Sequence, residues 1–144
     1  MDIYTRLKDD HVRQRDLSAG LAETSGDTEK RRELFDALKK EVKAHAAAEE
    51  QSFYAEFMSH DQGQAKARHS VSEHKEAADL IEELEELDMS SGGWLNKFKK
   101  LKEELEHHVD EEEEEVFPRA QSIISAQRAR ELGAEFERFK NEKL

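Results

Sequence analysis

The chain writes one pattern twice. His11 returns as His74, His45 as His108 and Glu49 as Glu112, each time at an offset of 63 (74 − 11, 108 − 45, 112 − 49). Apolar residues keep the same offset: Leu17 with Leu80, Leu21 with Leu84, Phe35 with Phe98, Leu38 with Leu101, Val42 with Leu105, and Phe53 and Tyr54 with Val116 and Phe117. Repetition at one distance, without insertions, means one supersecondary unit used twice. Since the repeated residues include imidazoles and carboxylates, the two copies are expected to build one symmetric site.

Composition alone would not predict a folded chain. Leu, Ile, Val and Phe make up 29 of 144 residues and charged residues 40%, close to the range of disordered segments. The apolar residues nevertheless recur at helical spacing through long segments, which argues for a helical domain with a thin core. The breaks fall at Thr24–Asp27, His60–Gly63 and Asp88–Gly93, with Pro118 expected to end or bend a fourth segment and Ser125 to cap a fifth. The segments are therefore about 2–23, 28–58, 64–87 and 94–117, plus a C-terminal helix of about 126–141. Short connections favour antiparallel neighbours. The fold expected is all-α: an antiparallel up-down-up-down four-helix bundle with a short fifth helix, one domain over residues 1–144.

The net charge of −12 argues against nucleic acid and against anionic membrane surfaces. No cysteine is present, which excludes disulfides, thiolate sites and iron–sulfur clusters. No apolar run approaches a membrane span, and Met1 to Arg6 carry no signal-like apolar region, so a cytoplasmic location is expected.

Helical geometry singles out the site. At about 100° per residue, Leu101, Leu105, His108, Glu112 and Val116 fall within about 80° of one another. The offset reproduces this stripe as Leu38, Val42, His45, Glu49 and Phe53. A carboxylate and an imidazole inside a buried stripe need a partner, and finding this on two helices makes a shared ligand the economical explanation. His11 and His74 sit at the edges of the stripes of the first and third helices. Four imidazoles and two carboxylates (His11, His45, Glu49, His74, His108, Glu112) exceed what a four-ligand structural zinc takes and suit two divalent ions. The simplest division gives His11 and His45, or their neighbours, to one ion and the other pair to the second, with Glu49 and Glu112 bridging. Which histidines pair is open at this point.

The remaining polar residues read as surface. Apart from Glu112, which its face singles out, Glu111 to Glu115 and the acidic run 82–86 are mostly solvated helix faces. His60, His69 and His107 are expected in solvent. Asp10 and Glu73, also 63 apart, could orient an imidazole, but surface charge is the simpler reading. Glu50 and Glu113 lie off the stripe and are expected to be exposed.

Asp10-His11, His45-x-x-x-Glu49-Glu50, Glu73-His74 and His108-x-x-x-Glu112-Glu113, in this order, resemble the hemerythrin-like family, the HHE cation-binding domain, over about residues 1–140. The resemblance implies a non-haem centre of two iron ions, carboxylate-bridged and joined by an oxo or hydroxo group. The chain departs from the oxygen carriers of that family. Those have His-x-x-x-His on the third helix, where the fourth residue after His74 is Ala78. They have an Asp five residues after the last histidine, where this chain has Glu112 at four. One nitrogen ligand fewer implies a more open site, unlike simple oxygen carriage. It is more similar to single-domain members linked to oxygen or nitric oxide sensing, iron handling or oxidative stress. A ferritin-like reading fails because Glu104-x-x-His107 is not duplicated: the repeat partner of His107 is Ala44.

Binding of a small diatomic ligand, oxygen or nitric oxide, is the function expected, with Phe53, Val116 and Phe117 lining the open positions. Iron handling or a peroxide-reactive, ferroxidase-type activity is the alternative. No separate nucleophile or substrate motif supports an enzyme. A redox or signalling protein partner is conceivable but has no sequence signature.

Overall fold

The computed structural model describes residues 1–144. It is built from helices only: α1 (Ile3–Ala22), α2 (Glu29–Glu49), α3 (Ala55–Met58), α4 (Gln64–Glu86), α5 (Gly92–Glu111), α6 (Phe117–Gln121) and α7 (Ala126–Glu142). No helix is long and apolar enough to cross a membrane. Three starts carry side-chain caps. Asp2 accepts from the Thr5 amide at 2.9 Å, Thr28 from Arg31 at 3.2 Å and Ser125 from Arg128 at 3.1 Å. Each satisfies an amide that the first helical turn leaves without a partner.

The long helices differ from the expected straight rods at one repeated place. A five-residue π turn, Glu50–Tyr54, joins α2 to α3, and a second, Glu112–Val116, within one residue of the repeat position, joins α5 to α6. The second half therefore stays helical to Gln121, and Pro118 neither ends nor breaks it. A π turn widens the hydrogen-bond ladder, and a proline, having no N–H, fits the turn that follows. Both π turns begin one turn after a site histidine.

The helices run up, down, up, down. Helices α1 and α2 pair, α4 and α5 pair, α5 also lies against α1, and α7 packs across α1 and α2. Two apolar clusters result. One gathers Ile3, Leu7, Phe53, Tyr54, Phe117, Leu132 and Phe136 near the π turns. The other gathers Leu21, Phe35, Leu38, Leu84, Trp94 and Leu101 at the opposite end. Arg31 fastens that end. Its guanidinium donates to the carbonyls of Met89 (2.6 Å) and Thr24 (2.8 Å) and lies 4.7 Å over the Trp94 ring. Between the two clusters the bundle interior is polar. The repeated histidines and glutamates occupy that layer.

Candidate metal centre

The six residues singled out by the repeat meet in the polar layer. His11 is 1% exposed, His45 5%, and Glu49 and Glu112 are fully buried. His74 and His108 are nearly so, at 10% and 12% of their side-chain surface. They form two overlapping sets: His11, His45, Glu49 and Glu112, and His74, His108, Glu49 and Glu112. The two carboxylates belong to both. Glu112 turns Oε1 toward His11 Nε2 at 3.0 Å and Oε2 toward His108 Nε2 at 3.4 Å. Glu49 turns Oε1 toward His74 Nε2 at 3.1 Å and Oε2 toward His45 Nε2 at 3.7 Å. Each carboxylate thus offers one oxygen to each imidazole pair. The pairing left open by the sequence is His11 with His45 and His74 with His108, with ring centroids 5.5 and 4.9 Å apart.

The outward nitrogens are all held. His45 Nδ1 meets Asp10 at 2.7 Å, and its repeat, His108 Nδ1, meets Glu73 at 2.8 Å. His11 Nδ1 meets Glu113 at 2.5 Å, and its repeat, His74 Nδ1, meets Glu50 at 2.7 Å. Four of the residues first read as surface charge therefore orient the imidazoles. Asp10 is buried, Glu73 half-buried, and Glu50 and Glu113 reach inward from partly exposed positions. The offset alone could have shown this, since all four carboxylates repeat with the histidines they support. A carboxylate on Nδ1 fixes the ring and directs Nε2 inward as a ligand.

The inward atoms face one another at 3.0–3.7 Å, yet apart from Glu112 Oε2, which accepts from Tyr54, they are not aligned for hydrogen bonds. Nε2 of His11, His74 and His108, both oxygens of Glu49 and Oε1 of Glu112 are buried and unpartnered. Orphaned polar atoms of this kind are costly and rare in folded proteins. Their chemistry, imidazole nitrogen and carboxylate oxygen, is that of divalent transition-metal ligands. The residues fit a metal centre.

The protonation of the metal-free site follows from its charges. Burial would push His45 down, but the charge of Glu49 and the hydrogen bond to Asp10 outweigh it and raise the imidazole to about 10. Burial likewise opposes protonation of His108, and the nearby Glu112 carboxylate and the hydrogen bond to Glu73 hold it well above its usual value. His74 is raised against burial by Glu49 and Glu50. Burial would raise Glu112, yet His108 and His11 hold it well below the usual carboxylate range. Protons on the imidazoles occupy the role that cations would take.

Such buried His–Glu pairs, written twice and shared between two points, match a defined family. Residues 2–120 match the hemerythrin HHE cation binding domain. The chain belongs to the hemerythrin HHE cation-binding family. This HHE chain is similar to a solved hemerythrin HHE cation binding domain-containing protein, the Rv2633c homolog from Mycobacterium kansasii. Identity is 26%, with 99% of this chain and 89% of that one covered at a TM-score of 0.86. It is also 26% identical, over 141 residues, to a DNA nickase of Nostoc sp. (strain PCC 7120 / SAG 25.82 / UTEX 2576). That match takes in 98% of this chain but 40% of the relative, so the HHE chain spans less than half of its length.

Two features of the site carried no sequence expectation. Tyr54 donates its hydroxyl to Glu112. Its repeat partner is Phe117, so Glu49 has no matching donor. The phenol tip was hidden inside an apolar match, and the Tyr–Phe mismatch was its one signal. Burial and the charges of Glu112 and Glu49 keep its pKa well above 10. The second feature is Lys140 on α7, which donates to Asp10 and to Glu41, both at 2.8 Å. It continues the stripe of Leu132 and Phe136, so its burial was legible in the helical spacing.

The open side of the site is also not the expected one. Phe53, Val116 and Phe117 pack in the closed cluster below the centre. A cavity of about 30 Å³ approaches from the other side, between the imidazoles and Gln14, Val42, Ala77, Leu105 and Val109. Ala78 is exposed, and Ala77 faces the cavity.

Proposed function

We propose that His11, His45, Glu49, His74, His108 and Glu112 hold two iron ions, with Glu49 and Glu112 shared between them, and that the centre binds a small diatomic ligand, oxygen or nitric oxide, for sensing, storage or scavenging. The observation that carries the reading is the set of inward nitrogens and carboxylate oxygens that are buried without partners. Bound iron would supply the redox change and the ligand affinity. The chain supplies the rest. Asp10, Glu73, Glu50 and Glu113 aim the rings, and Phe53, Phe117 and Phe136 exclude water on one side. The apolar-walled cavity between Val42, Ala77 and Leu105 admits a molecule of two atoms and little more.

Metal analysis of protein purified without chelators tests the site, and about two irons per chain is the expected result. Anaerobic reduction followed by oxygen or nitric oxide tests the ligand. A visible-absorption change is expected with either gas, and an iron-replete protein blind to both would refute the diatomic reading.

One observation favours a second reading, a peroxide-consuming activity. The Tyr54 O–H on Glu112 is a buried proton donor at the centre. Peroxide turnover above that of free iron, and reduced in Tyr54→Phe at equal iron content, would select it. The nicking activity of the Nostoc relative gains no support from this chain's surface, since a net charge of −12 repels phosphate backbones.

A further inference from the structure

The two halves agree at the centre and diverge outside it, on the flank of the carboxylate behind each histidine. In the first half that carboxylate is Asp10. Helix α7 covers it, and two cations saturate it: Lys140 at 2.8 Å and Arg6 at 2.6 Å. In the second half it is Glu73. No helix covers the α4–α5 face there, and no lysine or arginine lies within 4 Å of Glu73. The repeat partner of Arg6 is His69, that of Ala44 is His107 and that of Ala48 is Glu111.

These replacements converge. His69 Nε2 lies 3.4 Å from Glu73 Oε2 and 3.1 Å from Glu111 Oε1. His107 Nε2 lies 3.8 Å from the same Glu73 oxygen and 3.2 Å from Glu111 Oε2. Ligand atoms of His69, Glu73 and Glu111 fall within 4.8 Å of one another. Two His-x-x-x-Glu pairs, 69/73 and 107/111, sit on adjacent helices. The same spacing builds the buried centre from 45/49 and 108/112. Two imidazole nitrogens and two carboxylates form a ligand set for a borderline divalent ion such as zinc, cobalt or ferrous iron.

The surroundings favour a cation. A cleft beside the cluster is lined by Glu73, Glu76, Glu103, Glu104 and His107, without an apolar residue. Glu104, the repeat of Glu41, has a buried oxygen with no partner where Glu41 has Lys140. We propose that His69, Glu73, His107 and Glu111 form a surface site for a divalent transition metal, separate from the buried centre and joined to it through Glu73. Glu73 Oε2 faces the surface imidazoles while Oε1 holds His108 Nδ1. A metal there takes the place that Lys140 and Arg6 hold in the other half. It also stands one carboxylate away from the His74–His108 position.

Zinc titration of chelator-stripped protein tests this, read by bound stoichiometry and by histidine side-chain resonances. The wild-type chain is expected to take one weaker equivalent beyond those of the buried centre, with His69 and His107 signals moving in that step. The double variant His69→Ala, His107→Ala should lose that equivalent and keep the tight ones. Both side chains are more than half exposed, so folding is not at stake. Loss of the tight equivalents in the wild type would instead overturn the buried-centre reading. Identical titrations of wild type and double variant would overturn the surface site. So would loss of the weak equivalent in Glu76→Gln, Glu103→Gln but not in the histidine variant, which would mark diffuse attraction to an acidic face.

Discussion

The metal-free centre is a set of proton-filled ion pairs, so metal must displace protons to bind. Glu49 and Asp10 raise His45 from its ordinary 6.5 to about 10. At about 1.36 kcal/mol per unit, that is about 5 kcal/mol favouring the charged imidazole in the folded, metal-free chain. The raised value fixes the sign. This contribution to metal-free stability is fully present below about pH 6.5 and fades as pH rises toward 10. Metal binding requires neutral imidazole, so metal-derived stability rises across the same window. Raised values for His74 and His108 act in the same direction. The gap in melting temperature between metal-loaded and stripped protein should widen from pH 6.5 to 10. Zinc titration calorimetry at pH 7.5, in two buffers of different ionisation enthalpy, should show about two or more protons released per chain as the tight sites fill. Apparent affinity should climb about tenfold per pH unit for each proton displaced. Tight binding with no proton release at pH 7.5 would refute the argument, because the imidazoles would already be neutral.

Three further outcomes follow from contacts around the centre. Lys140→Met leaves Asp10 and Glu41 buried without their cation and should cost about 3–5 kcal/mol in urea unfolding at neutral pH, with the deficit shrinking in acid as the carboxylates protonate. Tyr54→Phe removes the donor on Glu112 and should cost about 1–3 kcal/mol in the metal-free protein; an unchanged denaturation midpoint would show that the bond carries no net stability. Gly133→Ala drives a Cβ into the Met1 carbonyl oxygen, so α7 or the start of α1 must shift, and stability measured by thermal unfolding should fall by about 1–3 kcal/mol.

Much of this was legible in the sequence because repetition and helical phase act together. The offset of 63 identified His11, His45, His74 and His108 as a set, and the stripe Leu101–Leu105–His108–Glu112 placed two of the acids inside. The four Nδ1 partners were misread because a straight helix puts Glu50 and Glu113 off the stripe. They reach across to His11 and His74 on neighbouring helices, which depends on tertiary packing and has no local signature. Asp10 and Glu73 were misread for a different reason. Exposure of a residue next to a core position depends on what packs over it. For Asp10 that cover is α7, over a hundred residues away in the chain. The same distance hid the partners of Lys140, though its helical phase with Leu132 and Phe136 pointed inward. The open face of the site was misjudged because Phe53 and Val116 lie within the π turns and Phe117 directly after the second, where the register changes.

A duplicated half makes two positions alike only as far as the duplication extends. On the proposed reading, the first position, at His11 and His45, is backed by Asp10 and Glu113, and Lys140 and Arg6 already neutralise Asp10. The second, at His74 and His108, is backed by Glu73 and Glu50, and no lysine or arginine lies within 4 Å of either carboxylate. Through a buried imidazole, an unneutralised carboxylate raises ligand basicity more than a neutralised one does. The second position should therefore hold a dication more tightly and fill first. Tyr54 marks the same side, since its hydroxyl rests on the Glu112 oxygen that faces His108. Adding ferrous iron stepwise to stripped protein should show, by Mössbauer spectroscopy, one environment growing before a second. The Lys140→Met variant, with Asp10 freed of its cation, should bring the two steps closer together. Two environments growing in equal proportion from the first addition would mean that the flanking charges do not reach the centre.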